Sequence, residues 1–359
     1  MITVLTDGSG FDTKLEYSDW RFSAAAVGLV RYFKYCEIEF EQGEDYIAYQ
    51  RDTAIGDAAE RNYLRFVENF FTDGMHHLIL EDLLTQDNLT KEQIALVNEK
   101  LNANGILKKV FGRERYEESQ KGHFLALLEE NRQTIIKETY RNGKSLYWNF
   151  ANENSLGKGS LKICRLNGYY IDLPKKGKSL AYQWDPSTFV AQDVPEFDYI
   201  PFAFSKSYES FFINNNYNTK ELLKANDHLS NAIKNLDKPR KSLFFATQQS
   251  SGFVDYDVEI IVKKRNQEYF ETLLVRRPAI NIFKKISGFN QNGENLILKA
   301  LSSPCRLNNG DYVDLEQSVT DNILNLIHLD YLIELLLKDK LNHNFQISQL
   351  IRINQLIYQ

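Results

Sequence analysis

Between Phe22 and Phe33 the chain reads Phe-Ser-Ala-Ala-Ala-Val-Gly-Leu-Val-Arg-Tyr-Phe, apolar or small at every position except Arg31. No other stretch restricts the fold as strongly. A helix of this composition has little polar surface to offer water, so other elements must wrap it. Ser18 or Asp19 is placed to cap it, because a side-chain oxygen there accepts from unpaired amides of the first turn. The alanine cluster and Gly28 keep its surface low and let another segment approach closely. No apolar run reaches the roughly 18 residues needed to span a bilayer. The opening residues, Met1–Asp7, lack the basic region and long apolar run of a secretory signal. A soluble, cytoplasmic protein is expected.

Around that helix the periodicity changes along the chain. Met1–Leu5, Glu37–Phe40 and Tyr46–Tyr49 read as short strands. From Asp57 to Leu128 the spacing turns helical: Leu64, Val67, Phe70 and Phe71 recur at intervals of three and four, as do Ile94, Val97 and Leu101. Thr90-Lys91-Glu92-Gln93 has the form of a capping box, and Gly105 is expected to stop the helix that follows it. Residues 141–200 turn to glycine and lysine. Strands are predicted at Leu161–Arg165 and Tyr169–Leu173, joined by the hairpin signal Asn167-Gly168. Further strands are predicted at Tyr199–Phe204, Phe211–Asn214, Ser242–Thr247, Asp257–Val262 and Glu271–Val275, with a helix over Leu222–Leu236. Helices over Thr320–Leu341 and Ile347–Tyr358 close the chain. Strand and helix do not alternate regularly, so the class is α+β rather than doubly wound. The expected organisation is an α+β region with a helical segment over 1–140, a β-rich basic region over 141–317 and a helical segment over 318–359.

The formal net charge of −5 hides an asymmetry. Residues 1–130 carry 14 Lys and Arg against 24 Asp and Glu, whereas residues 238–299 carry 11 against 6. An acidic front and a basic later segment suggest that nucleic acid, if bound, is met by part of the surface. The same asymmetry equally suits two halves, or two subunits, that attract each other. There the cations cluster at predicted strand ends: Lys238, Arg240 and Lys241; Lys263, Lys264 and Arg265; Arg276 and Arg277; and Lys284 with Lys285 on the next helix. Clusters at successive strand ends suit one rim facing a phosphate backbone, where each contact gains affinity by releasing counterions. Asn214-Asn215-Asn216 is a candidate groove-facing loop, because Asn bridges the donor and acceptor edges of adenine. The same residue type also favours turns that need left-handed backbone. The 23 Phe and 20 Tyr serve core and interface first, and base stacking only in a basic context.

Signatures of catalysis are weak. Gly157-Lys158-Gly159-Ser160 lacks the glycine spacing of a phosphate loop and precedes a predicted strand rather than a helix. His76-His77 has no further ligand at a familiar spacing, and adjacent helical residues point about 100° apart. Asp255, Asp257 and Glu259 precede Lys263 in a manner that suggests a metal-dependent nuclease. A lysine four residues along a strand, however, lies about 13 Å from its carboxylate. Cys36, Cys164 and Cys305 form neither a disulfide framework nor a zinc pattern. No cofactor motif is found, and the chain is read as a non-catalytic binding protein. The alternatives are a metal-dependent nuclease built on Asp255, Asp257 and Glu259, or a protein–protein adaptor.

Trp20 with Ala24–Phe33 resembles the opening helix of large subunits in type I CRISPR effector complexes, those of the I-B type above all. Tyr199-Ile200-Pro201-Phe202-Ala203-Phe204, then Ser210–Asn216 and Leu222–Asp227, is similar to the subgroup whose members often carry two C-x-x-C pairs. Arg276–Ile286 and the apolar C-terminal helix fit more loosely, and together these cover about half the chain. The C-x-x-C pairs are absent here. The resemblance implies a non-catalytic subunit at one end of a crRNA-bound backbone that reads a short motif beside the target and helps separate the duplex. Base pairing with the guide reads the rest. It implies as partners the crRNA-bound backbone subunits, target double-stranded DNA, a small helical subunit and a helicase-nuclease. In some relatives the small subunit arises from an internal start in the same gene. Here the only methionines are Met1 and Met75, and Thr320–Tyr358 is short for such a bundle.

Overall fold

The computed structural model describes residues 1–359 except 7–9, 103–104, 113–114, 169–191, 207–208, 235–241 and 292–293; of residues 290, 291 and 294 the backbone alone is described. Strands β1 (Ile2–Val4) and β2 (Thr13–Glu16) lead into helix α1 (Trp20–Cys36), which Asp19 caps by accepting from the Arg21 amide at 2.8 Å. Glu37 ends it in the left-handed conformation, φ 55°. That stop displaces the strand expected at Glu37–Phe40 to β3 (Phe40–Gln42), which pairs with β4 (Tyr46–Tyr49). The antiparallel sheet has the order β1-β2-β4-β3 and packs on α1.

The small face of α1 is used as its composition predicts. Across it lies a 3₁₀ helix, Pro195–Phe202, with the Tyr199 carbonyl so close that a Cβ on Gly28 would stand 2.0 Å from that oxygen. This segment takes in the first four residues of the strand predicted at Tyr199–Phe204. Pro201 removes a ladder donor from it, and close packing on α1 takes the place of strand pairing. Phe197, Tyr199, Ile200 and Phe202 are buried there, and the Tyr199 hydroxyl donates to the Ala54 carbonyl at 2.7 Å.

Between sheet and 3₁₀ segment runs the helical part: α2 (Asp57–Phe70), α3 (His76–Thr85), α4 (Lys91–Leu101), α5 (Gly105–Val110), α6 (Lys121–Asn142) and α7 (Tyr147–Phe150). The Thr90–Gln93 capping box is formed. Gly105 opens α5 rather than ending α4, which has already stopped at Leu101. A separate apolar cluster, drawn from residues between Leu80 and Ile135, holds α3–α6 together. Leu161–Arg165 is not a strand. The Leu161 and Arg165 amides are taken by the Asp193 carboxylate, each at 2.8 Å, so no partner strand is needed. The other half of that predicted hairpin, Tyr169–Leu173, lies outside the described residues.

The later half contains β5 (Glu209–Asn214), α8 (Thr219–Lys234), α9 (Leu243–Ser250), β6 (Val258–Lys264), β7 (Glu271–Val275) and α10 (Arg277–Ser287). Its antiparallel sheet runs β5-β6-β7. The strand predicted at Ser242–Thr247 is the start of α9. Ser242 caps it by accepting from the Phe245 amide at 3.2 Å, which outweighs the strand preference of the Phe pair. Two small hairpins, β8–β9 (Asn290–Gln291, Glu294–Asn295) and β10–β11 (Cys305–Arg306, Tyr312–Val313), bracket α11 (Leu296–Ser302). The helix predicted over Thr320–Leu341 is two: α12 (Leu315–Asn325) ends at Leu326, φ 55°, and α13 (Asp330–Lys338) follows. Helix α14 (Asn344–Ile357) closes the second apolar cluster, which extends from Phe211 to Ile353. The fold is α+β, with about 58% of the described residues helical and 12% in strands of small sheets. Among the described residues no helix is long and apolar enough to cross a membrane.

Candidate nucleic-acid interface

Helix α10 divides its faces sharply. Ala279, Ile280, Ile282, Phe283 and Ile286 fall at helical spacing and are buried. The opposite face is left with Arg277, Asn281 and Lys285 exposed and Lys284 half-buried, and Arg276 precedes it as an exposed N-cap. The segment Arg276–Ser287 contains no acidic residue. Arg277 and Lys284 are seven residues apart, so they share one stripe about 10 Å long. Lys284 and Lys285 complement the negative end of the helix dipole. Arg276 and Arg277 at the positive end oppose it, at a cost of about 0.3–1 kcal/mol each near the surface. The helix start carries no first-turn acid of its own. Asp257 supplies the missing cap from the loop before β6, accepting from the Arg277 amide at 2.8 Å.

Lys284 is held by Asp255, whose carboxylate is 81% exposed. The lysine hydrogen bond and charge pull the Asp255 carboxyl below its usual range. So exposed a pair is weak, and a phosphate displaces its carboxylate at little cost. Lys285 donates to the Gln359 side chain at 3.1 Å.

The cations predicted to share one rim do not all do so. The meander pairs Val258 with Val275 at one end and Lys264 with Glu209 at the other, so Arg276 and Arg277 stand about 20 Å from Lys264 along the sheet. Lys264 is paired to Glu271 at 3.1 Å, and Arg265 is exposed in the turn beyond it. Lys263 is buried. Its ammonium caps that turn by donating to the carbonyls of Lys264 and Gln267, and burial pushes its pKa down to about 8. Lys238, Arg240 and Lys241 lie outside the described residues.

The asparagine triplet divides likewise. Asn214 and Asn215 are buried: Asn214 donates to Glu259 at 2.9 Å, and Asn215 donates to the Phe253 carbonyl at 2.8 Å while accepting from the Tyr256 hydroxyl. Only Asn216 is exposed, so the groove-facing loop reduces to one side chain. The three carboxylates of the nuclease alternative are engaged singly: Asp255 with Lys284, Asp257 as the cap of α10, and Glu259 with Asn214. Among the described residues no group of three His, Cys, Asp or Glu side chains is arranged to hold a metal.

A family model described as CRISPR-associated protein Csx8 matches residues 11–237 and 223–359. The chain belongs to that family. Nothing among curated proteins or solved structures matches it.

The other motifs singled out in this Csx8 family member have structural employment. His77 is buried and pairs with Glu68 at 2.8 Å, whereas His76 sits half-buried on another side of α3. Burial works against charge on Glu68, but His77 and Arg132 outweigh it and hold the carboxyl low. Gly157–Gly159 does not form a phosphate cradle. The Gly157 amide donates to Asp198 at 2.9 Å, and the carbonyls of Lys158 and Gly159 accept from Arg165 at 3.1 Å. Cys36, Cys164 and Cys305 are free thiols, all pushed up in pKa by burial. Sequence reasoning missed the residues beside Lys284: His228, Gln248, Phe253, Ser287 and Asn295, which line a groove of about 430 Å³. The two glutamines Gln248-Gln249 after an aromatic pair were the available signal, and the strand predicted at Ser242–Thr247 hid it.

Proposed function

We propose that this Csx8 family protein is the non-catalytic large subunit of a crRNA-guided type I CRISPR surveillance complex. It binds target double-stranded DNA beside the protospacer and supports motif recognition and strand separation. Family membership makes the chain CRISPR-associated, and the observation that carries the reading further is the cationic face of α10. Arg276, Arg277 and Lys285 are exposed, Lys284 is paired to an exposed carboxylate, and no acid lies within the segment. An outward row of cations, two of which work against the helix that bears them, suits a phosphate backbone better than it suits stability. In the same reading the crRNA-bound backbone subunits are its neighbours, with a small helical subunit and a helicase-nuclease as further partners, and the protein works in the cytoplasm.

The test is purification by a tag on this chain, expressed with its neighbouring genes. A discrete short RNA of repeat-spacer character should co-purify with the other subunits. A clean protein without RNA or partners overturns the reading.

A further inference from the structure

The groove beside α10 has the chemistry of a nucleotide site. Its walls come from α8, the end of α9 with the 3₁₀ turn Ser251–Phe253, α10 and the start of α11. Its volume of about 430 Å³ falls in the range of small-molecule pockets. Among the described residues no acidic side chain lines it, and Lys284 is the one fixed positive charge in its wall.

Two features point to an aromatic, hydrogen-bonding ligand. Phe253 and His228 set their rings against each other, centroids 5.1 Å apart and tilted 52°, and offer a stacking surface on one wall. On another stands Gln248, only 3% exposed, whose side-chain oxygen has no hydrogen-bond partner among the described residues. The hydroxyls of Ser251 and Ser287 are close by, yet Ser251 donates to the Gln248 main-chain carbonyl at 2.7 Å and Ser287 to the Phe283 carbonyl at 3.1 Å, with the Gln248 carbonyl at 3.4 Å, and both leave the side chain alone. Asn295 is occupied as well, capping α11 at Leu298 and donating to the Ile286 carbonyl. A buried amide oxygen without a donor is destabilising, because it has given up water and gained nothing in return. It calls for a ligand that brings an N–H.

We propose that this groove binds one unstacked adenine nucleotide, its base against Phe253 and His228 and paired to the Gln248 amide, its phosphate on Lys284. Adenine presents an N–H donor beside a ring-nitrogen acceptor, the complement of a side-chain amide. A base reaches such a pocket only from a single strand or by leaving its stack. The cations of α10 continue the line of Lys284, so the nucleotide belongs to a strand whose backbone runs along that helix. This inference rests on the proposed DNA-binding role.

The test uses the full chain at low salt with fluorescent single-stranded dA and dT oligonucleotides and with free AMP as competitor. The chain should prefer dA roughly tenfold. Gln248→Leu should bring dA down to the dT level, leave dT binding unchanged and melt no lower than the parent, since it removes an unpaired buried oxygen. Phe253→Leu keeps apolar volume at the wall and should narrow the same ratio by losing the stacking ring. Equal binding of dA and dT by the parent, or an unchanged ratio in both variants, overturns the site while leaving the DNA-binding role intact. Failure to bind either strand overturns both. Displacement of dA by AMP at concentrations near the oligonucleotide's own Kd assigns the groove to the free nucleotide and overturns its place on a strand.

Discussion

Two regions of this protein concentrate charge, and they use it in opposite ways. In the N-terminal half Arg165 is fully buried and surrounded by acceptors. Nε and Nη2 each reach Asp193 at 3.1 Å, Nη1 stands 2.7 Å from Asp198, and Nη2 also donates to two main-chain carbonyls. Tyr147 donates to Asp198 at 2.5 Å and the Gly157 amide does so at 2.9 Å. Burial drives the Asp198 carboxyl above its usual range even against the Arg165 charge. Here each charge is matched within the core, and the knot ties residues 157–165 to 193–198. On α10 the cations face water, and Asp255 is a loose partner for one of them. A charge taken into the core serves the fold, whereas one left without a fixed partner is available to a ligand.

The largest expected effect breaks the first side of this comparison. Arg165→Met leaves Asp193 and Asp198 buried without their cation, a change of about 3–5 kcal/mol in unfolding free energy. Urea unfolding should show that loss as a lower midpoint with little change in slope, while DNA affinity per folded molecule stays at the parental value. A midpoint within error of the parent would mean that water replaces the guanidinium easily, and the knot would lose its structural meaning.

The second effect belongs to the other side. Replacing Arg276, Arg277 and Lys285 together by Ala should weaken DNA binding by one to two orders of magnitude near 0.15 M salt and flatten the plot of log affinity against log salt by about 2–3. Folding stability should stay within about 1 kcal/mol of the parent or rise, because two of the three cations oppose the dipole of α10. An unchanged salt slope would place the contacts elsewhere, with Arg265 and Asn216 the exposed candidates that remain among the described residues.

How legible these regions were in the sequence differs for a physical reason. Helix α10 was readable, since Ala279–Ile286 repeats at helical spacing and local pattern determines its faces. So was α1, where alanines and Gly28 announce a close approach, although not that Tyr199 makes it. The knot was not readable. Nothing local marks Arg165 as buried, because its partners Asp193 and Asp198 lie 28 and 33 residues away and meet it only in the fold. The single rim failed similarly: cations at the ends of consecutive strands alternate between the two ends of an antiparallel sheet, so sequence proximity overstated their convergence. Asn214 and Asn215 show the same limit, their amides being consumed by Glu259 and the Phe253 carbonyl.

Lys263 sharpens the comparison with a smaller effect. By sequence it belongs with the cations of the surface, but its side chain is buried beside Phe270 and makes its contacts with main-chain carbonyls, with Glu268 the carboxylate whose charge it feels. Burial lowers its folded pKa to about 8, against 10.5 in an exposed lysine. Between those values the unfolded chain binds the extra proton, so stability from this group is full above about pH 10.5 and is lost as pH falls towards 8. Unfolding midpoints at pH 7.5, 9 and 10 should therefore rise for the parent relative to Lys263→Met, whose curve lacks this contribution. Parallel curves would mean that the ammonium reaches water in the native state, and Lys263 would rejoin the surface cations as a candidate contact.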